Sequence, residues 1–171
     1  EYRRQRQMCI RDRRYSYMDA RRYANLCGLT IRGPRKIWDS SIAGIGLLYA
    51  QEQNVVGEYN LQVYERFWRR ELNIEDQQAI KQILVEVGAD VSKFDNYMME
   101  EGRILLDRIQ IDAEKQGVFG VPTYIFDKEL FWGREHIALI RHKLAQKGLA
   151  KPGKDTSVDT THAWRPGGPG W

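Results

Sequence analysis

The chain contains 171 residues, of which 42% are hydrophobic and 29% charged, and it carries a formal net charge of +4. This length suits one domain of ordinary size that can bury a real core. The mean hydropathy is -0.60. This low value and the lack of an apolar run of about eighteen residues exclude a transmembrane span within the chain. We therefore expect no membrane partner. Cys9 and Cys27 are too few for a disulfide scaffold, which favours the reducing conditions of a cytoplasmic location.

The positive charge is concentrated at the start of the chain. Residues 1–22 contain eight Arg and three acidic residues, so the remainder is close to neutral. Within residues 1–14 the string QMCIRDR resembles translated sequencing-adapter sequence, and no amphipathic period is sustained. We therefore expect residues 1–14 to be a basic segment that is non-native or disordered. A natural basic arm that binds phosphates is the alternative, and we expect no nucleic-acid partner.

Apolar residues at helical spacing predict a mainly helical chain up to Gly117. Gly28 is suited to end the first helix, while Asp39, Asn73 and Ser92 precede helical patterns and are suited to start them. The aromatic and Met residues on these helices are interpreted as core. The predicted helices cover residues 15–26, a segment from about 39 to 49, and residues 58–70, 76–87, 92–98 and 104–116.

A change of pattern at Gly117 predicts a β-hairpin. Residues 121–126 are rich in β-branched and aromatic residues, residues 127–129 form a polar turn, and residues 130–132 form a second short run. A final helix over residues 135–147 follows, with Ile137, Ile140 and Leu144 on one face. Residues 151–171 are rich in Pro, Gly and Thr, and we expect this tail to be disordered.

The stretch GVFGVPT at residues 117–123 is followed by FWG at residues 131–133. With the hairpin and the helix after it, this arrangement resembles the C-terminal part of the DsbA-like thioredoxin superfamily. The closest branch is that of the 2-hydroxychromene-2-carboxylate isomerases and kappa-class glutathione transferases. The resemblance implies an α/β, thioredoxin-like fold with a helical insertion at residues 36–116, in a domain of residues 15–150.

The resemblance also implies a binding site for the cofactor glutathione. Val121–Pro122 would be a cis-proline loop that borders the main pocket, and the unpaired N–H and C=O of Val121 would bind glutathione as an added strand. The positions that hold the γ-glutamyl end in the family read Arg134, Glu135 and His136 here, which departs from the usual small polar residue, Asp and Arg. Glu135 can take the ligand's ammonium group and Arg134 a carboxylate. A merely structural proline and solvated helix-start residues are the alternatives.

No residue of the chain matches the family's thiol-activating position. The isomerase branch has a Ser there and the disulfide oxidoreductases have a CxxC pair, after a first strand that should precede residue 15. We therefore expect that the first βα unit is absent, that the chain is an N-terminally truncated and inactive fragment, and that it holds no catalytic residue. Cys27 is expected to be buried at a helix end. No His, Cys or acidic cluster has metal-ligand spacing, so we expect no metal.

These inferences predict a glutathione-dependent isomerase or transferase that acts on a small aromatic substrate. The family reaction adds a glutathione thiolate reversibly to an unsaturated substrate, so that a carbon–carbon bond can rotate before elimination. A thiol-disulfide oxidoreductase whose CxxC lies outside this sequence is the first alternative, and a non-catalytic peptide-binding protein is another. A homodimer is left open.

Overall fold

The fold consists of a series of helices followed by a β-hairpin and a last helix. The computed structural model describes the backbone of residues 2–151 and the side chains of residues 14–151 apart from that of Arg134. These residues group into two compact units, one up to residue 110 and one from residue 111 onward. The elements are α1 (Tyr2–Leu26), α2 (Ser41–Glu52), α3 (Val56–Arg69), α4 (Gln77–Glu86), α5 (Phe94–Met99), α6 (Glu101–Lys115), β1 (Thr123–Phe126), β2 (Glu129–Trp132), a 3-10 turn (Arg134–His136) and α7 (Ile137–Gln146).

The core of the first unit is formed around α2, which packs against α3, α4 and α5. Tyr59, Ile80 and Phe94 from the surrounding helices are each at most 1% exposed. Gly46 permits this close packing, because a Cβ at that position would lie 2.3 Å from the hydroxyl oxygen of Tyr59. The Tyr59 hydroxyl donates a hydrogen bond to the carbonyl oxygen of Ala43 at 2.8 Å, and burial raises its pKa.

The predicted helical region over residues 36–116 is confirmed, with differences at the helix ends. Asp76 caps α4, since its carboxylate accepts hydrogen bonds from two backbone N–H groups of the first turn. Ser92 does not cap α5, because its hydroxyl donates to Asp90 at 3.0 Å and the helix begins after Lys93. α1 begins at Tyr2 rather than at residue 15. The interpretation of residues 1–14 as non-native or disordered stays a prediction.

The second unit contains the predicted hairpin, with a tighter turn than expected. Thr123 pairs with Trp132 and Phe126 pairs with Glu129, so Glu129 belongs to β2 rather than to a three-residue turn. The turn consists of Asp127 and Lys128, which both have positive φ angles, of 58° and 66°. Two successive left-handed residues match the twist of the flanking strands, and this explains how a turn without Gly connects them.

The two faces of the hairpin have different surroundings. On one face Phe131 is only 4% exposed, and the ammonium groups of Lys143 on α7 and of Lys147, the residue after α7, lie over the rings of Phe131 and Phe126. On the other face Ile125 and Trp132 are both about half exposed. α7 therefore covers one side of the sheet, and apolar groups remain accessible on the opposite side.

The expectation of a buried cysteine is wrong. Cys27 is exposed in the turn after α1, where its backbone N–H bonds to the carbonyl oxygen of Ala24. None of the helices within the described residues is long and apolar enough to cross a membrane. The predicted disordered tail lies outside the described residues, apart from Lys151.

Candidate functional site

The loop before β1 presents an unpaired stretch of backbone. The Val121–Pro122 bond is cis, as predicted. Two hydrogen bonds hold the flanks of the loop: the Thr123 hydroxyl donates to the carbonyl oxygen of Gly120 at 2.5 Å, and the Gly133 N–H donates to that of Pro122 at 2.9 Å. Val121 itself is 86% exposed, and its N–H and C=O have no hydrogen-bond partner among the described residues. Val121 therefore offers one donor and one acceptor to an extended ligand.

The side chain of Trp132 packs against this loop. A Cβ at Gly120 would lie 2.6 Å from the indole nitrogen of Trp132, so the indole touches the backbone at this glycine. The ring of Phe119 lies 5.2 Å from that of Trp132, centroid to centroid, with an interplanar angle of 55°. The loop is thus supported by aromatic packing on one side and by hydrogen bonds at both ends.

The carboxylate of Glu135 lies next to the glycine that holds Pro122. Both of its oxygens are 2.5 Å from the position that a Cβ at Gly133 would occupy, and the φ of Gly133 is +103°. A side chain at Gly133 would therefore displace Glu135. Glu135 is exposed and has no partner among the described residues. The backbone of Arg134 lies in the 3-10 turn, and its side chain is outside the described residues.

Three of the four predicted ligand-binding residues thus lie on two segments that a hydrogen bond connects. The side chain of the fourth, Arg134, lies outside the described residues. Val121 and Pro122 are adjacent in the loop, and the hydrogen bond from Gly133 connects this loop to the segment that carries Glu135. In the sequence, Gly133 was noted only as the last residue of the FWG motif. The motif did not show that the N–H of Gly133 would bond to the carbonyl oxygen of Pro122.

A separate cavity of about 920 Å³ lies in the first unit. Aromatic side chains from α1, α3 and the segment before α2 line it, and Trp38, Phe67 and Trp68 are joined by edge-to-face contacts with centroid distances of 6.1 and 5.2 Å. Neither Val121 nor Pro122 lines this cavity, and the expectation that they border the main pocket stays a prediction. The sequence did not indicate the cavity, because the aromatic residues that α3 contributes to it share helical spacing with the core.

The charge around the cavity is positive. Arg14, Arg35 and Lys36 line it, and none of the described residues that line it is acidic. Lys36 forms an ion pair with Glu75 and lies 4.3 Å from the centroid of the Trp38 ring, whereas Arg35 has no partner among the described residues. An aromatic enclosure with cationic groups at its margin is complementary to a flat, apolar anion.

The wall of the cavity between residues 31 and 40 is fastened by two side chains. The Arg70 guanidinium donates to the carbonyl oxygen of Gly33, with its Nε at 3.0 Å. The Glu75 carboxylate accepts hydrogen bonds from Lys36 and, at 2.9 Å, from the backbone N–H of Asp39. These two bonds lower the pKa of Glu75, with the bond from Lys36 as the larger cause.

The described residues show no candidate for a metal centre. They contain no group of three or more His, Cys, Asp or Glu side chains that could hold a metal ion. The unpaired groups of Val121 among the described residues suit a peptide-like ligand, and the lining of the cavity suits an aromatic anion.

The fold and the loop define a thioredoxin-like protein with a helical insertion. The profile of the DSBA-like thioredoxin domain matches residues 4–145, and the chain belongs to this family. The chain is also 24% identical to the 2-hydroxychromene-2-carboxylate isomerase of Sphingobium xenophagum over 98 residues, which are 57% of this chain and 50% of that protein.

A solved structure supports the fold assignment. The structure of selenomethionine 2-hydroxychromene-2-carboxylate isomerase (HCCA isomerase) matches with a TM-score of 0.67 and 21% sequence identity. The match covers 78% of this chain and 66% of that chain. The chain thus spans half the length of the curated relative and slightly less than two thirds of the solved one. The predicted family and fold class are confirmed.

Proposed function

We propose that the protein is a glutathione-dependent isomerase or transferase that acts on a small aromatic acid. The observation that carries the proposal is the backbone of Val121, which has no partner among the described residues and lies in the loop that a hydrogen bond joins to Gly133, the glycine beside the Glu135 carboxylate. The similarity to a 2-hydroxychromene-2-carboxylate isomerase supports the reaction class. We also retain a cytoplasmic location and the option of a homodimer as predictions.

In this proposal glutathione binds as a short added strand. Its backbone pairs with the N–H and C=O of Val121, because an extended peptide can satisfy both groups at once. The ammonium group at its γ-glutamyl end then donates to Glu135, and a carboxylate pairs with Arg134. Gly133 links the backbone pairing at Val121 to the ammonium interaction at Glu135. Its N–H bonds to the carbonyl oxygen of Pro122, and the Glu135 carboxylate packs against its α-carbon.

The proposed reaction requires a thiolate and an unsaturated substrate. The thiolate sulfur forms a C–S bond with one alkene carbon, and the electron pair of the double bond moves to a conjugated carbonyl oxygen. The former double bond can then rotate as a single bond, and return of the electron pair expels the thiolate and releases the isomer. We assign thiolate formation to no residue of this chain, because none matches the activating Ser of the family.

The aromatic cavity of the first unit supports the substrate class. Its aromatic lining can hold a flat ring, and Arg35, which has no partner among the described residues, can pair with a carboxylate. The cavity volume of about 920 Å³ lies in the range of ordinary small-molecule sites.

The proposal is tested by titrating the 171-residue chain with reduced glutathione and following the backbone amides by NMR. We expect the Val121 amide to shift and Glu135→Gln to weaken binding about three- to tenfold, the range for one charge-assisted hydrogen bond at an exposed site. Glu114→Gln is the matched control, because Glu114 is an exposed side chain of α6. It should leave the affinity unchanged.

A modified ligand makes the test specific to the ammonium group. Glutathione acetylated on its α-amino group cannot donate to Glu135 as a cation, so wild type and Glu135→Gln should bind it equally. If glutathione shifts no amide of the loop, or if Glu135→Gln and Glu114→Gln behave alike, the proposed site is wrong.

The alternative of a thiol-disulfide oxidoreductase remains because the DSBA-like family match does not by itself distinguish the two reactions. A disulfide exchange requires a reactive cysteine pair, and this chain has only Cys9 and Cys27. Reduction of insulin disulfides by the chain, with no effect of glutathione on the Val121 amide, would favour this alternative.

A further inference from the structure

The indole nitrogen of Trp132, beside the Val121 loop, is a hydrogen-bond donor with no acceptor among the described residues. An indole can donate but cannot accept, and a buried or ligand-facing indole N–H usually has an acceptor. Trp132 is 48% exposed, and its N–H has no partner among the described residues. Neither the hairpin nor the loop therefore explains why this position carries a Trp rather than a Phe.

The position of the indole is closely defined. Its nitrogen is 2.6 Å, and its Cε2 3.2 Å, from the place of a Cβ at Gly120, so the polar edge of the ring faces the residue before Val121. The ring of Phe119 packs on it at 5.2 Å. Trp132 also pairs with Thr123, whose hydroxyl holds the carbonyl oxygen of Gly120. Among the described residues, packing and not a hydrogen bond sets the direction of this N–H.

We propose that Trp132 is a specificity-determining residue whose indole N–H donates to a carbonyl or carboxylate oxygen of the thiol peptide bound at Val121. This inference rests on the proposed function, since it takes glutathione as the ligand. A peptide that pairs with Val121 must pass close to Gly120, where the polar edge of the indole lies. A small thiol without peptide carbonyls offers no acceptor to the indole N–H, so Trp132 favours peptide thiols.

The lack of a side chain at Gly120 allows the indole of Trp132 to occupy this position. An Ala there would put a methyl group at 2.6 Å from the indole nitrogen, and the ring would have to move. The φ of Gly120 is not in the left-handed region, so the backbone itself tolerates Ala. Gly120→Ala therefore displaces the donor without removing it, and it tests the position of Trp132 independently of its chemistry.

The experiment uses the indole N–H resonances of the 171-residue chain labelled with nitrogen-15. Trp132→Phe identifies the resonance of Trp132 by its loss and also keeps an aromatic ring in place. On titration with reduced glutathione we expect the Trp132 indole proton to move downfield together with the Val121 amide. Trp132→Phe and Gly120→Ala should each weaken glutathione binding about three- to tenfold, as expected for the loss of one hydrogen bond.

Tyr124→Phe is the matched control. Tyr124 lies on β1, and its hydroxyl has no partner among the described residues, so its removal should leave the affinity unchanged. Cysteamine, a thiol without a carbonyl, should bind wild type and Trp132→Phe equally.

The outcomes separate this inference from the proposed function. If glutathione shifts the Val121 amide and Glu135→Gln weakens binding, but the indole resonance does not move and Trp132→Phe binds normally, the role of Trp132 is refuted and the proposed site stands. If glutathione shifts no resonance of the loop, both are refuted. A dispersed amide spectrum of each variant shows that it is folded, and the titration of wild type decides the result if one variant is not.

Discussion

The two units of the molecule differ in how they use their apolar residues. In the first unit, Tyr59, Ile80 and Phe94 are almost completely buried between four helices. Among the described residues of the second unit, Phe131 is the one buried hydrophobic side chain, whereas Ile125 and Trp132 on the other face of the hairpin are about half exposed. The first unit therefore derives its stability from a packed core, whereas the second leaves apolar groups and unpaired backbone available for binding.

The largest expected effect is on stability, when an Ile is replaced by Ala in each of the two units and the losses are compared. Ile80→Ala should lower the free energy of unfolding of the first unit by about 3–4 kcal/mol, because Ile80 is 0% exposed and its loss leaves a cavity. Ile125→Ala should cost about 1 kcal/mol or less, since Ile125 is 47% exposed.

Amide hydrogen exchange measures this comparison, because it reports the opening of α4 and of the hairpin formed by β1 and β2 separately. Similar losses in the two variants would mean that the exposed face of the hairpin is covered in solution, and the contrast between the units would be wrong.

A smaller effect is expected from two glycines of the first unit. Gly46→Ala should destabilise it by about 1–3 kcal/mol, because the new methyl group would overlap the Tyr59 hydroxyl and the Ile80 side chain. Gly57→Ala in α3 is the matched control. Among the described residues, no atom apart from those of its chain neighbours and its own helix backbone lies within 4 Å of its Cβ position, so it should stabilise the helix by up to about 1 kcal/mol.

Urea unfolding followed by circular dichroism gives both values. The packing of α2 against α3 would have to be looser than described if the two variants shifted the midpoint in the same direction.

The smallest effect concerns Glu75 and the wall of the aromatic cavity. Its pKa is lowered, so its stabilising contribution is fully present above the ordinary Glu pKa of about 4.3 and is lost as the pH falls through the lower folded value. The Asp39 amide proton, which donates to Glu75, should therefore titrate with a midpoint below that ordinary value.

Glu75→Gln should abolish this titration, and Glu71→Gln, at an exposed position nearby in the chain, should not change it. The measurement is an NMR pH titration of the Asp39 amide. A midpoint at the ordinary Glu value would show that Lys36 and Asp39 do not hold the carboxylate in solution.

Much of the local structure was predictable from the sequence. Helical spacing of apolar residues indicated the helices, because the period of the pattern reflects which face is buried. β-branched and aromatic residues on both sides of a polar turn indicated the hairpin. The GVFGVPT and FWG motifs indicated the family, which the match over residues 4–145 confirms.

The positions of side chains relative to distant residues were not predictable in this way. The burial of Cys27 was expected from its apolar neighbours, but the chain turns there and the side chain is exposed. The turn at Asp127 and Lys128 was expected to have three residues, since nothing in their side chains indicates two positive φ angles.

The sequence by itself determined the helices, the hairpin, the family and the position of Val121 and Pro122 at the start of a strand, because these depend on periodicity and on short motifs. Only the tertiary structure decided that Trp38, Phe67 and Trp68 line a cavity and that the indole of Trp132 lies against Gly120. The physical reason is that spacing along the chain determines which residues share a face. Whether that face is covered, left open or turned toward a neighbouring loop depends on contacts between segments far apart in sequence.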